Sequence, residues 1–187
     1  MSELEEKLPI IALDVGTGRI GVAILRNDIL INHLDIISRD GSEFEKITKI
    51  VEDENVKTIV IGLPKTLKAE IGPQAEKVLQ FVDELKVHLA SFFSLEIVLW
   101  DERFTSVIAH RMFRAIGLTS KKERKIKDSL EAELILESYI NYLRRELRKK
   151  DQQEPQLEKK AQIHREREKQ KEPRGLRDPI RRKKFPD

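Results

Sequence analysis

No cysteine occurs in the 187 residues, and that absence removes several chemistries at once. Disulfide scaffolds, thiolate zinc sites, iron–sulfur clusters and thiol nucleophiles all need it. Histidine is scarce as well. His33, His88, His110 and His164 are scattered, without the HxxxH or HExxH spacing that sets two imidazoles on one helix face. No apolar run approaches the roughly 18 residues that span a bilayer. The opening MSELEEK is acidic where a secretory signal would be basic and then apolar. A cytoplasmic protein without membrane contact is expected. Any metal it uses must be held mainly by carboxylates, which favours Mg²⁺ or Mn²⁺.

Charge is what the chain has in excess: 37% of residues are charged against 39% hydrophobic. It is unevenly spread. Residues 144–187 hold 17 Lys+Arg and 9 Asp+Glu, a net of +8; the remaining 19 basic and 24 acidic residues give 1–143 a net of −5. The overall +3 therefore combines an acidic domain with a basic tail. Past residue 150 the apolar residues are too few and too spread to build a core. The expected division is a folded domain over 8–148 and a basic, disordered tail over 149–187.

Within the domain, PIIALDV (9–15) and RIGVAIL (19–25) flank a Gly-Thr-Gly turn and read as a hairpin. LINHLDII (30–37) is a third strand, and Asp40-Gly41-Ser42 offers a helix cap. Phe44, Ile47, Ile50 and Val51 recur at helical spacing, and VKTIVIGL (56–63) is a buried strand. A loop at 64–74 leads into a helix over 75–89, with Val78, Leu79, Val82, Leu85 and Leu89 on one side. LEIVLW (95–100) is another strand, 106–117 a helix ended by Gly117, and 118–127 a basic stretch. A last helix from about Lys127 to Leu147 carries Ala132, Ile135, Leu136, Tyr139, Ile140, Leu143 and Leu147 on one stripe, with Asp128 at its head. A three-strand meander followed by alternating strands and helices implies an α/β mixed sheet covered by helices.

Three acidic positions stand out, each with a plain alternative. Asp14, at the end of the first strand, either caps a turn or projects into a site. Of Asp101 and Glu102, just past a buried strand, alternation lets only one face a given side; the other caps a helix or pairs with Arg103. Asp128 either answers the helix dipole or joins a site. Together they could converge on one sheet edge, where like charges repel unless a divalent cation resolves them. Two magnesium ions about 4 Å apart are a known arrangement for phosphodiester cleavage. Basic appendages suit a phosphate backbone. The glycines at 16, 18 and 21 spell G-x-G-x-x-G, but a β-branched strand follows them where a dinucleotide site needs a helix. Trp100, on a strand, reads as core rather than as a base-stacking platform.

The motifs DVGTGRIGVAI (14–24), IVIGLP (59–64), GPQAEKVLQFVDEL (72–85), VLWDERFTS (98–106) and D-x-x-x-A-x-x-I-L-x-S-Y (128–139) follow in order. In this the chain resembles the YqgF family, also called RuvX, over about 10–143. The resemblance implies an RNase H-like fold with a RuvC-like carboxylate site. It puts the catalytic acids at Asp14, Glu102 and Asp128, with Asp101 as a further metal ligand beside Glu102. Arg19, Lys65, Arg103, Thr105, Lys121 and Lys122 are the candidate nucleic-acid contacts; Thr105 and Ser106 equally suit helix capping, and Lys65 a solvated loop. Gly18 stands where the family commonly has Lys, and Ser129, Leu130 and Glu131 replace a commonly alanine-rich run. The implied activity is Mg²⁺- or Mn²⁺-dependent endonucleolytic hydrolysis in 5′-end processing of pre-16S rRNA, in company with ribosome-assembly factors. The alternatives are a resolvase of Holliday junctions or branched DNA, and a non-catalytic rRNA-binding assembly factor. Without an apolar stripe left over for a dimer, a monomer is expected rather than a homodimer.

Overall fold

The structure is a computed structural model that describes residues 3–64, 71–90, 92, 94–101, 128–150, 152 and 162. The chain divides into two units, Met1–Glu146 and Leu147–Asp187. In the second, the described residues 147–150, 152 and 162 are helical; the first unit is described below. The helix expected over 106–117, the basic stretch 118–127 and most of the tail lie outside the described residues.

A short helix, α1 (Glu3–Lys7), precedes the hairpin of β1 (Ile10–Val15) and β2 (Arg19–Leu25). Next come β3 (Ile31–His33), β4 (Ile37–Ser38), α2 (Glu43–Asp53), β5 (Thr58–Leu63), α3 (Pro73–Ala90) and β6 (Glu96–Asp101). The final helix, α4, occupies 128–146 of this unit. The sheet order is β3-β2-β1-β5-β6, with β4 also pairing β2. β1 is antiparallel to β2 and parallel to β5, and β5 is parallel to β6. This is the mixed α/β sheet that the strand pattern predicts.

The expected single third strand is divided. β3 pairs Ala23 with His33, while β4 pairs Ile20 with Ile37. Three residue steps along β2 are thus matched by four on its partner, which is a bulge. The extra residue lets Ile37 turn into the core, where it is buried.

Register sorts the sheet into two faces, because paired residues project to the same side and neighbours along a strand to opposite sides. One face carries Ile11, Leu13, Val15, Ile20, Val22, Ile24, Ile59, Ile61 and Leu63, in one cluster with Ile47 and Val51 of α2 and the apolar side of α3. The other face is lined with small residues on the middle strands (Ala12, Gly21, Ala23 and Gly62), with Trp100 on β6. Here α4 lies. Its Ala132, Ile135, Leu136, Tyr139, Ile140 and Leu143 are all buried. Trp100 stacks edge-on to Tyr139 and donates its Nε1–H to the Ser138 hydroxyl at 3.1 Å. Among the described residues no helix is long and apolar enough to cross a membrane.

Phe81 of α3 is a core residue that the helical stripe did not include. It is 1% exposed, with the Phe44 ring 5.3 Å away and the Arg39 guanidinium over its face at 5.2 Å. Ahead of α2, the Ser42 hydroxyl donates to Asp40 Oδ1 at 2.6 Å and makes no side-chain bond to the helix. Asp40 also accepts from the Ser42 N–H and from Lys46 Nζ. These donors, Ser42 first, hold its carboxyl far below the usual carboxylate range. At the other end of α2, hydrogen bonding to Arg26 likewise lowers Glu54.

Phe81→Ala is expected to cost about 3–5 kcal/mol of stability, measured by urea denaturation. A carboxyl depressed in the folded state stabilises the fold above its unfolded pKa, and that contribution is lost on acidification. Asp40→Asn should therefore lower the urea midpoint at pH 7. The gap to wild type should begin to narrow as the pH falls below about 4 and close only as it approaches the depressed folded value.

Candidate functional site

Asp14 is the penultimate residue of β1, which ends at Val15 because the chain leaves the sheet at Gly16. The Gly16 N–H donates to the Arg19 carbonyl at 2.9 Å, closing the turn into β2, and a Cβ on Gly16 would meet that oxygen at 2.8 Å. The turn is held from outside. Arg39 donates its backbone N–H to the Gly18 carbonyl at 3.1 Å and its Nη1–H to the Gly16 carbonyl at 3.3 Å. From α3, Gln74 Nε2 donates to the Val15 carbonyl at 3.4 Å. Nothing in the sequence pattern pointed to Arg39 or Gln74, since their partners are backbone atoms far away along the chain.

Asp14 pairs directly with Gly21 across the hairpin, so the two project from the same face. That face meets the first turn of α4. A Cβ on Gly21 would lie 2.0 Å from the Asp128 carbonyl oxygen and 3.5 Å from the Ala132 Cβ. The helix start therefore rests on bare backbone at the position beside Asp14, about 5 Å across the strand pair. The missing side chain at Gly21 thus brings the backbone of Asp128 next to the strand position paired with Asp14, 114 residues earlier. A signal for it was present: a glycine inside the β-branched strand RIGVAIL marks the close approach of another backbone.

Arg19 projects from this face too, two residues before Gly21. Its Nε donates to Asp128 Oδ2 at 2.7 Å, with the two side chains 30% and 19% exposed. Gly16, Thr17, Gly18, Arg19 and Asp128 line an open cleft of about 380 Å³. A Cβ at Gly18 would meet nothing within 4 Å, so a longer side chain there has room to enter solvent.

Asp101 pairs with Leu63, and the register puts both on the face opposite Asp14 and Gly21. Of the sequence-predicted site residues, Asp14, Arg19 and Asp128 are thus gathered on one face, and Asp101 is on the other. Lys65, Glu102, Arg103, Thr105, Lys121 and Lys122 lie outside the described residues. Among the described residues no group of three or more His, Asp or Glu is placed to hold a metal ion. The carboxylates of Asp14 and Asp128, both part-exposed, are hard oxygen donors of the kind that suit Mg²⁺ or Mn²⁺.

Comparison with known proteins gives a match to the family model described as "RuvX: Holliday junction resolvase" over residues 9–142. A protein of Desulforudis audaxviator named "Putative pre-16S rRNA nuclease" is 38% identical over 135 residues, covering 71% of this chain and 93% of the relative. One of the same name from Clostridium botulinum is 40% identical over 139 residues, covering 72% and 97%. Among solved structures, T. thermophilus RuvC in complex with Holliday junction substrate aligns with 71% of this chain and 96% of its own, at 11% identity and a TM-score of 0.45.

Two glycines of the same turn-and-strand segment should behave differently on substitution. Gly21→Ala must push α4 off β2 and is expected to lower the thermal midpoint clearly. Gly18→Ala meets open space and should stay within about 0.5 kcal/mol of wild type.

Proposed function

Since the chain belongs to the RuvX family, we propose that it is a cytoplasmic, divalent-cation-dependent endonuclease that processes the 5′ end of pre-16S rRNA during ribosome biogenesis. The observation that carries this reading is the seat of α4 on Gly21, which brings Asp128 to the face and end of the sheet where Asp14 stands. Relatives at 38% and 40% identity named for pre-16S rRNA favour RNA as the substrate over a DNA junction.

In this proposal Asp14 and Asp128 hold one or two Mg²⁺ or Mn²⁺. With Asp101 on the opposite face, Glu102 is the member of the Asp-Glu pair assigned to complete the set. When bound, the cation lowers the pKa of water and offsets the charge that develops on the phosphate and the leaving oxygen. The chain's own residues have separate tasks. Arg19 borders the cleft at the hairpin and meets the phosphate backbone, as a planar guanidinium suits such a group. Lys65, Arg103, Thr105, Lys121 and Lys122 are assigned to the same backbone. The turn 16–18, tied down by Arg39, keeps Arg19 and Asp14 in fixed relation while substrate binds.

The test is cleavage of a 5′-extended 16S rRNA precursor in Mg²⁺ by wild type and by Asp14→Asn, with a four-way DNA junction as a parallel substrate. Wild type should cut the RNA, and Asp14→Asn should bind it but lose at least about 100-fold in rate, the scale of removing charge stabilisation from a transition state. Cutting of the junction alone would move the substrate to branched DNA. Tight RNA binding without cutting by either protein would identify a non-catalytic assembly factor.

A further inference from the structure

Asp128 is assigned to a divalent cation, yet in the fold it already faces a singly charged group, the guanidinium of Arg19, with Nε 2.7 Å from Oδ2. The pairing is built in by register. Arg19, Gly21 and Ala23 project from the same face of β2, and the absence of a side chain at Gly21 lets the head of α4 settle next to Arg19. The contact also has a physical reason. Asp14 stands across the strand pair from Gly21, and two carboxylates brought to one sheet end repel each other unless one is neutralised.

The form of the contact matters. Arg19 engages Asp128 through Nε alone, a single-point bond rather than the two-pronged fork. Among the described residues its two Nη amino groups, which carry four of its five N–H donors, have no hydrogen-bond partner. They sit at the border of the cleft that Gly16, Thr17 and Gly18 complete.

We propose that Arg19 is the resident counter-ion of Asp128 in the cation-free protein, displaced when a divalent cation takes the carboxylate and thereby released to a substrate phosphate. This rests on the cation-dependent reading above and adds an order of events to it. The cation competes with an arginine of the chain itself, and its binding frees the group that captures the phosphate. Cation and nucleic acid then bind with positive coupling, which a site of preset ligands would not require.

The experiment measures Mn²⁺ binding to the full chain by electron paramagnetic resonance at fixed ionic strength, for wild type, Arg19→Gln, Arg19→Lys and Asp128→Asn. Removing the competitor should tighten Mn²⁺ binding in Arg19→Gln by roughly two- to fivefold, the scale of a part-exposed ion pair. Arg19→Lys keeps the competing charge and should stay near wild type, which separates competition from a general change in the fold. Asp128→Asn should bind Mn²⁺ far more weakly. Unchanged or weaker Mn²⁺ binding in Arg19→Gln, with Asp128→Asn still defective, would overturn the inference and leave the functional reading standing. Equal Mn²⁺ binding by wild type and Asp128→Asn would remove the cation site, and the inference with it. A second measurement uses a 5′-extended 16S rRNA fragment, with anisotropy read in Ca²⁺ and in EDTA. Wild type should bind more tightly with the cation, and Arg19→Gln should lose most of that gain. A gain that persists in Arg19→Gln would overturn the release to phosphate.

Discussion

The arrangement depends on one close approach, the backbone of Asp128 against the backbone of Gly21. A helix laid over a sheet normally rides on side chains and stays about 10 Å from the strands. Over Gly21 there is no side chain, and the carbonyl of Asp128 occupies the space that a Cβ would need. The neighbouring small residues, Ala12 and Ala23, let the helix stay close, and the larger Trp100 and Tyr139 fill the gap at the other end. Any side chain at position 21 would separate the two acids that the strand and the helix carry.

The two faces of the sheet do different work. The face under α2 and α3 is apolar over its centre and holds most of the large buried side chains, so it supplies most of the hydrophobic stabilisation. The face under α4 gives up bulk in exchange for proximity and carries polar groups at its open end. Those groups are held by ties from elsewhere in the chain: Arg39 on the hairpin turn, Gln74 on the end of β1, Arg19 on Asp128.

Much of this was legible beforehand. The apolar runs at 9–15, 19–25 and 56–63 read as strands, and they form β1, β2 and β5, because a fully buried strand needs apolar residues on both sides. The stripe from Ala132 to Leu143 read as a helix face because its period is that of a helix turn, and all six of its members within 128–146 are buried. The misses share a cause. Phe81 falls outside the stripe chosen for α3 because that helix packs against both α2 and the sheet, and so buries a wider arc than one surface demands. The division of the third strand could not be read from LINHLDII, since a bulge appears only when the partner strand is counted beside it. Ser42 looked like a cap by residue type, but its hydroxyl donates to Asp40.

By itself the sequence determined the classes: an α/β chain, oxygen ligands in place of sulfur, acids at strand ends and at a helix head, and a family pattern running through most of the domain. Residue type and local period carry that information, because they act over a few neighbours along the chain. What only the tertiary structure decided is which acids share a face and what pairs with them. Asp14 lies on the face that α4 covers because hairpin register places Gly21 opposite it, Asp101 turns away because β6 pairs with β5 in one phase, and Arg19 finds Asp128 across 109 positions. Register and close packing are properties of paired elements, and no single segment contains them.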